Sequence, residues 1–300
     1  MNPDEGNLAP KMVSVIVPCY NAAKTIRVQL EALARQKWAG QWEVIIADNG
    51  STDESLQIVE QYRDELPNLQ IVDASARRGQ PYAMNVGARA ARGEALVFCD
   101  ADDEVGDGWL AAMARALSTH DFVACRTESK KLNPPWLARG RSSAQEDGLK
   151  KLSYAPQLYF AGSGTMGIKR SLLLDVAGGF DENLPMLFDS LLCVQLQLAG
   201  KEIHYVPDAV LHLRHREALS DGFRQGYNYG QFQPVVYKKA VALGNPRLPQ
   251  PLKMGIQEWR NVLSMLPRLR DKAMLAGFAF LFGRQLGRLK GSIRQRVFYF

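Results

Sequence analysis

The sequence predicts an α/β protein: a single, mainly parallel sheet flanked by helices, followed by a helical extension at its C-terminal end. Three observations predict it. Through the first 120 residues, short β-branched and apolar runs alternate with stretches of helical periodicity. The apolar runs are nearly continuous, as strands covered on both faces require. After about residue 216 strand signals stop, and apolar residues recur at helical spacing among Lys and Arg.

Taken in order, Val13–Val17 is a strand ended by Pro18, and Ala22–Lys37 carries Ile26, Leu30 and Leu33 at helical spacing. Val44–Ala47 is a second strand. Ser51, Thr52 and Asp53 then offer helix caps before a helix over Glu54–Leu66. Leu69–Val72 is a third strand, Gln80–Arg92 a helix with Gly93 as its C-cap, and Ala95–Cys99 a fourth strand. Beyond residue 120 the pattern weakens. Phe122–Cys125 is a strand, and Lys130–Leu149, charged and Pro-bearing, is a surface excursion. Gly178–Glu182 is a turn, Ser190–Leu198 a helix, Ile203–Val206 and Ala209–Leu213 two strands, and residues 216–242 a helix. In a sheet of this type ligands bind beyond the carboxyl ends of the strands. Pro18–Asn21, Asp48–Asp53 and Asp100–Asp103 all follow strands, so they are expected on one rim.

Composition narrows the function classes. A hydrophobic content of 46% over 300 residues supports a full core and excludes disorder. The polar, slightly acidic start is no signal peptide, and no stretch reaches the apolar length of a spanning helix. Cys19, Cys99, Cys125 and Cys193 lack metal or disulfide spacing and read as buried thiols in a reducing cytosol. From Arg247 onward there are 11 Lys/Arg against 2 Asp/Glu, so the net charge of +6 leaves about −3 for residues 1–246. Those basic residues are interleaved with Leu, Met, Phe and Trp. This pattern suits an anionic membrane surface better than nucleic acid.

The sharpest chemical feature is Asp100-Ala101-Asp102-Asp103 at a strand end. Crowded carboxylates are costly unless a cation binds, and hard divalent ions take one or two carboxylates together with phosphate oxygens. An isolated Asp-x-Asp is short and common, so a solvated loop with Asp103 capping the next helix is the bland alternative.

The surrounding motifs shift that balance. Ser14-Val-Ile-Val-Pro-Cys-Tyr-Asn21, Ile45-Ile-Ala-Asp-Asn-Gly-Ser-Thr-Asp53, Arg78-Gly-Gln-Pro-Tyr-Ala-Met-Asn-Val-Gly87, Gly93-Glu-Ala-Leu-Val-Phe-Cys-Asp-Ala-Asp-Asp103, Gly178-Gly-Phe-Asp181 and Val206-Pro-Asp-Ala-Val-Leu-His212 stand in an order and spacing that resemble a family 2 glycosyltransferase of GT-A fold. The resemblance covers roughly residues 12–215. It implies an N-terminal tail (1–11), a catalytic domain (12–215) with a nucleotide-binding half to about 120 and an acceptor half from 121, and an extension over 216–300.

The resemblance also implies roles. Pro18 and Tyr20 pack the nucleotide base, with Asn21 in the same donor loop. Asp48 accepts from the base N–H. Arg78, or its neighbour Arg77, meets diphosphate or base. A helix cap explains Asp53 equally well, and Asn85 and Gly87 support the nucleotide loop. Asp100, with Ala101 beside it, holds ribose or metal. Asp102 ligates Mn²⁺ or Mg²⁺ bridging the donor phosphates, and His212 completes the shell or is an ordinary strand histidine. Asp189 is the catalytic base, or the N-cap of its helix. The family's Glu before that Asp is Phe188 here, a further acid is replaced by Leu191, and the usual Arg of that helix is Gln195 or Gln197. The expected activity is inverting transfer from a nucleotide sugar, a UDP-sugar by family tendency, to a glycan or polyprenyl-linked acceptor. Trp109, Trp136 and Tyr159 are candidate sugar-stacking surfaces. The alternatives are a sugar nucleotidyltransferase, against which the absence of a Gly-rich loop after the first strand counts, and a nucleotide-sugar-binding protein with impaired catalysis. Residues 252–300 are expected to lie on the cytoplasmic face of the inner membrane, or to pack on the core or a dimer partner.

Overall fold

A computed structural model describes residues 10–66, 68–141, 143, 145–248, 251–297 and 299; residues 1–9 of the expected N-terminal tail lie outside this set. The strands are β1 (Met12–Cys19), β2 (Gln41–Asp48), β3 (Gln70–Asp73), β4 (Ala95–Phe98), β5 (Glu104–Val105), β6 (Phe122–Glu128), β7 (Lys150–Leu152), β8 (Ala155–Phe160), β9 (Met166–Lys169) and β10 (His204–His212). An eight-stranded sheet runs in the order β3-β2-β1-β4-β9-β6-β10-β5, and β7 pairs with β8 in a second, two-stranded sheet. In the large sheet β9 and β5 run against their neighbours and the other pairings are parallel.

The side-chain alternation of β1 explains the two-sided core. Val13, Val15 and Val17 point to one face, where α1 (Ile26–Ala34), α2 (Ser55–Glu60) and α4 (Trp109–Thr119) pack. Ile16 points to the other, with α3 (Gln80–Ala90) and α6 (Phe188–Leu198). A short helix, α5 (Pro135–Gly140), follows β6. The C-terminal helices are α7 (Leu219–Ala242), α8 (Pro251–Leu263) and α9 (Lys272–Gln295). Val236, Tyr237 and Ala240 of α7 join the second core cluster, so the extension packs directly on the domain.

Helices α7 and α9 run parallel and touch backbone to backbone. A Cβ on Gly226 or Gly230 of α7 would overlap the carbonyl oxygens of Phe280 or Arg284. Conversely, one on Gly283, Gly287 or Gly291 of α9 would overlap those of Phe223, Tyr227 or Gln231. Each of these glycines disfavours an isolated helix by about 1 kcal/mol relative to Ala, so tertiary packing sustains the helices. Behind the seam Arg288 is buried; it donates to Gln233 Oε1 at 2.8 Å and pairs with Glu258 of α8.

Several expectations are corrected. Gly93 is no C-cap: α3 ends in extended backbone at Ala91, and Gly93 lets the chain pass close to Ser14, whose nitrogen would lie 2.7 Å from a Cβ there. The two strands expected over 203–213 are one strand, β10, with an irregularity between Val206 and Val210. The excursion over 130–149 is not superficial. It buries Asn133, Leu137, Ser143 and Gln145, and Gln145 donates to Cys125 O at 2.9 Å. All four cysteines are free and buried.

Candidate donor and catalytic site

The strand-end rim is assembled by side chains that bond to loop backbones. Asp53 accepts from Ala23 N at 3.0 Å and from Ser55 N, which ties the β2 loop to the β1 loop. Asn21, with φ of 49°, accepts from Thr52 N at 2.8 Å and donates its own N–H to Ser51 Oγ. Asn49, which sequence reasoning gave no role, donates to Ala74 O and Arg77 O and accepts from Gly79 N. It thereby fixes the loop that carries the arginines. Asp48 accepts from Gly50 N and Ser51 N at the end of β2.

The arginine pair separates. Arg77 turns outward to Glu182 and Asn183, whereas the Arg78 guanidinium stacks 4.2 Å from the ring centre of Tyr20 and donates to Asn49 O. Tyr20 is 50% exposed and Pro18 half-buried, so Pro18, Tyr20 and Arg78 make a flat, open surface at the end of β1. Asn85 does not support this loop. Its amide binds both the N–H and the carbonyl of Phe180 and so anchors the turn ahead of α6.

After β4, Gln29 of α1 holds the acidic loop by donating to Asp100 O and accepting from Val105 N. Oxygens of Asp100, Asp102 and Asp103 all lie within 4.8 Å of one another. Burial, then the charges of Asp102 and Asp189, push the Asp100 carboxyl up to about 7, against the donation of Gln80 Nε2 at 2.8 Å. Asp103 is raised well above the ordinary carboxyl range, by burial and by its two neighbours. Asp102 has an exposed edge, yet desolvation raises it against the pull of Arg214 and Arg216. Ala101 is buried between them. Asp103 caps no helix: it accepts from Arg214 N at 2.8 Å, and α4 begins only at Trp109. Crowded carboxyls held away from ionisation are the condition a hard divalent cation relieves, so the residues present fit Mn²⁺ or Mg²⁺.

Asp189 lies inside the first turn of α6, after Leu187 with φ of 61°, and is not the N-cap. It accepts from Ser190 N at 2.7 Å and Ser163 N at 3.2 Å, and burial nevertheless pushes it up to about 6. The turn Ser163–Thr165 brings the two acids together. Its Ser163 holds Asp189, while a Cβ on its Gly164 would lie 2.7 Å from Asp100 Oδ2. Phe188, where the family has Glu, is a core residue stacked edge-on against Phe180. Leu191 is buried, and Gln197 fixes β8 through both backbone groups of Tyr159.

His212 Nδ1 lies 2.8 Å from Glu128 Oε2, and His212 is not among the three clustered acids. Trp109 is fully buried in the core at the start of α4, so it offers no stacking surface for sugar. Trp136 stacks with Lys272 and Tyr159 remains partly exposed. Residues the sequence did not single out complete the site: Gln29, Asn49 and Gln80 position its loops. Burial, then the charge of Asp189 and to a lesser extent that of Asp100, push the Tyr229 hydroxyl of α7 up.

A mainly parallel sheet with acids at the end of its fourth strand and a facing acid on a later helix defines a GT-A glycosyltransferase fold. The chain belongs to glycosyl transferase family 2, whose model matches residues 14–176, more than half of its length. It is 31% identical over 199 residues to poly(ribitol-phosphate) beta-N-acetylglucosaminyltransferase TarS of Staphylococcus aureus, a match covering 65% of this chain and 34% of TarS. It is 40% identical over 93 residues to the uncharacterized glycosyltransferase YibD of Escherichia coli, covering 31% and 26%. The match thus spans about a third or less of these relatives' length. In fold it is similar to the mannosyltransferase PcManGT of Pyrobaculum calidifontis in complex with GDP-Man and Mn²⁺, with a TM-score of 0.61 at 21% identity over 96% of this chain and 89% of that one. TarS residues 1-349 in complex with UDP-GlcNAc superpose with a TM-score of 0.55 at 21% identity, covering 95% and 92%.

Proposed function

We propose that the chain transfers a sugar from a nucleotide-sugar donor, a UDP-sugar, to a hydroxyl of a glycan or lipid-linked acceptor, with inversion at the anomeric carbon. The observation that carries this reading is the single turn that touches Asp100 and holds Asp189, because it sets a donor-side acid beside a base. Pro18, Tyr20 and Asn21, with Arg78 stacked behind, receive the base and ribose. Asp48 keeps lone pairs beyond those used by its own loop and accepts from the base imide. Asp100 and Asp102 would hold Mn²⁺ or Mg²⁺, with Ala101 packed beneath. His212, oriented by Glu128 as second-sphere carboxylates orient ligating histidines, is the further ligand in this reading. The ion supplies neutralisation of the donor diphosphate as the glycosidic bond breaks. Asp189 takes the proton of the acceptor hydroxyl, which attacks from the face opposite the diphosphate.

The test is Asp189→Asn with circular dichroism as a folding control, and transfer measured with and without EDTA. Undiminished transfer in the variant removes Asp189 from the mechanism, and indifference to EDTA removes the metal. Donor binding with no turnover in the wild type supports the impaired-binder alternative that Phe188 raises.

In this reading residues 12–120 serve the nucleotide, 121–215 the acceptor, and 216–300 contact an anionic, cytoplasm-facing membrane or a second copy of the chain. No helix among the described residues is long and apolar enough to cross a membrane. Helix α8 supports surface contact: Leu252, Ile256 and Leu263 are exposed on one face, with Lys253 and Arg260 beside them. Liposome flotation of the Ile256→Ser/Leu263→Ser variant against wild type tests this, and equal flotation rejects it.

A further inference from the structure

Arg141 follows α5, and its position is fixed from three sides. Its guanidinium lies 3.9 Å from the ring centre of Phe280 on α9 and donates to Gln225 Oε1 on α7 at 3.1 Å. Its backbone N–H bonds Leu137 O at 2.8 Å, beside Gly140, where a Cβ would overlap the Ala273 carbonyl. Tyr229, one turn beyond Gln225, meets the same Phe280 ring edge-on at 6.1 Å. Arg141 and Tyr229 are therefore held on one aromatic ring, and burial, then the charge of Asp189 and, more weakly, that of Asp100, push the Tyr229 hydroxyl up.

The charge around Arg141 is unbalanced. The charged and titratable groups that act on it are Tyr229, Arg216 and His215, and no carboxylate among the described residues pairs with it. Burial and the Arg216 charge both pull it below the usual guanidinium range. His215 is pushed down to about 4 by burial and Arg141, so it adds no positive charge and no counter-charge at neutral pH. Arg216, exposed, lies two residues past Arg214, which donates its N–H to Asp103 Oδ1 at 2.8 Å and its Nε to Asp102 O at 3.0 Å, so Arg216 stands beside the acidic loop. A half-buried guanidinium without a counter-ion is costly unless a ligand supplies the negative charge. A planar guanidinium pair matches phosphate geometry best.

We propose that Arg141 and Arg216, with Gln225 and Tyr229, form an anion subsite on the α7 side of the acidic loop that takes a phosphate group carried by the acceptor, next to the hydroxyl that Asp189 deprotonates. The proposal rests on the transferase reading above. The other source of the same chemistry is the donor's own diphosphate, and the test separates the two.

Inorganic phosphate and glycerol 3-phosphate, with glycerol as the neutral control, are titrated calorimetrically into the full chain saturated with UDP and Mn²⁺. The expected result is that both phosphates bind the wild type and glycerol does not. Arg141→Gln weakens phosphate at least tenfold and Arg216→Gln several-fold, with UDP affinity within twofold of wild type in each. Arg216 is exposed, so its variant keeps the test valid if Arg141→Gln fails to fold, and melting curves report on both. Absent phosphate binding in the wild type, or binding unchanged in both variants, overturns the subsite. Displacement of phosphate by UDP also overturns it and assigns the arginines to the donor. Failure of UDP to bind the wild type strikes the donor reading alone, since phosphate titrated without UDP still reads the subsite.

Discussion

The strand-end rim and the α7–α9 layer are built by opposite means. On the rim, polar side chains hold loop backbones in place: Asn49 alone fixes three backbone groups between Ala74 and Gly79. In the helical layer backbones touch directly through glycines, and polar side chains such as Arg288 and Gln285 are buried behind the seam. The rim also crowds carboxyls that burial pushes upward, an arrangement that weakens a fold and suits a reaction. The layer has no comparable cluster of acids among the described residues. The difference teaches that chemistry and stability are separable here, and substitutions should separate them.

The largest effect is expected at Asp189. Asp189→Asn should lower transfer by about 10² to 10⁴-fold, the usual worth of a general base. Its melting temperature should change little: the amide relieves the cost of the buried charge but turns a donor toward one of the two backbone N–H groups, of Ser190 and Ser163, from which the carboxylate accepts. The folded carboxyl titrates near 6, above its value in an unfolded chain, so its stabilising protonated form is lost as pH rises through that window. Above pH 6 the ionised group opposes folding, and an amide removes that opposition. A large drop in melting temperature would break the separation.

Gly287→Leu is the converse. Its side chain would overlap the Tyr227 carbonyl and force α9 off α7, which should cost about 3 kcal/mol and lower the melting temperature by roughly 6 °C or more. UDP affinity, measured where circular dichroism shows the protein still folded, should be unchanged. Its loss would mean that the rim and the seam act as one unit.

Glu43→Gln sharpens the comparison at the far end of the sheet, where nothing reacts. Fully buried Glu43 accepts from Ser14 Oγ at 2.6 Å, Arg92 N at 2.7 Å, Arg92 Nε at 2.8 Å and Gln70 Nε2 at 3.0 Å. Burial works to raise its pKa, but those bonds outweigh it and hold the carboxyl below the ordinary range. Its stabilisation is present above the unfolded-chain value and lost as pH falls through the depressed one. An amide turns a donor toward donors, at a cost of about 1–3 kcal/mol visible at neutral pH, with kcat unchanged. Chemical denaturation at pH 7 checks the first and a transfer assay the second.

The two regions also differ in how far the sequence discloses them. Strands β1, β2 and β4 are legible because a nearly continuous apolar run between helical stretches has few other readings, and the acidic loop follows directly from one of them. Asn49 escapes notice because its partners lie 25 to 30 residues away. Gln145 makes a polar segment look superficial, although satisfied hydrogen bonds are what allow it to be buried. In the helical layer the four-residue spacing of Gly222, Gly226 and Gly230 and of Gly283, Gly287 and Gly291 was visible, but which helices it joins is a tertiary fact. The meeting of Arg141 with Tyr229 over Phe280 spans three separate elements, and no local pattern encodes it.

The smallest effect tests whether the rim's burial sets its own chemistry. If Asp189 is the base, kcat/KM at saturating Mn²⁺ should fall tenfold for each pH unit below a break that burial lifts above the ordinary carboxyl range and the neighbouring cation draws down from about 6, and level off above it. A carboxyl at its ordinary value would place the break near 4. Protons and the cation compete for Asp100, whose carboxyl is pushed up to about 7 without the ion, so saturating Mn²⁺ removes its titration from the profile and leaves that of Asp189. The seam variant Gly287→Leu should keep the same break, because α9 contributes nothing among the causes that shift Asp189. A break that moves with the seam would show that the helical layer tunes the base, and the two regions would then share one function.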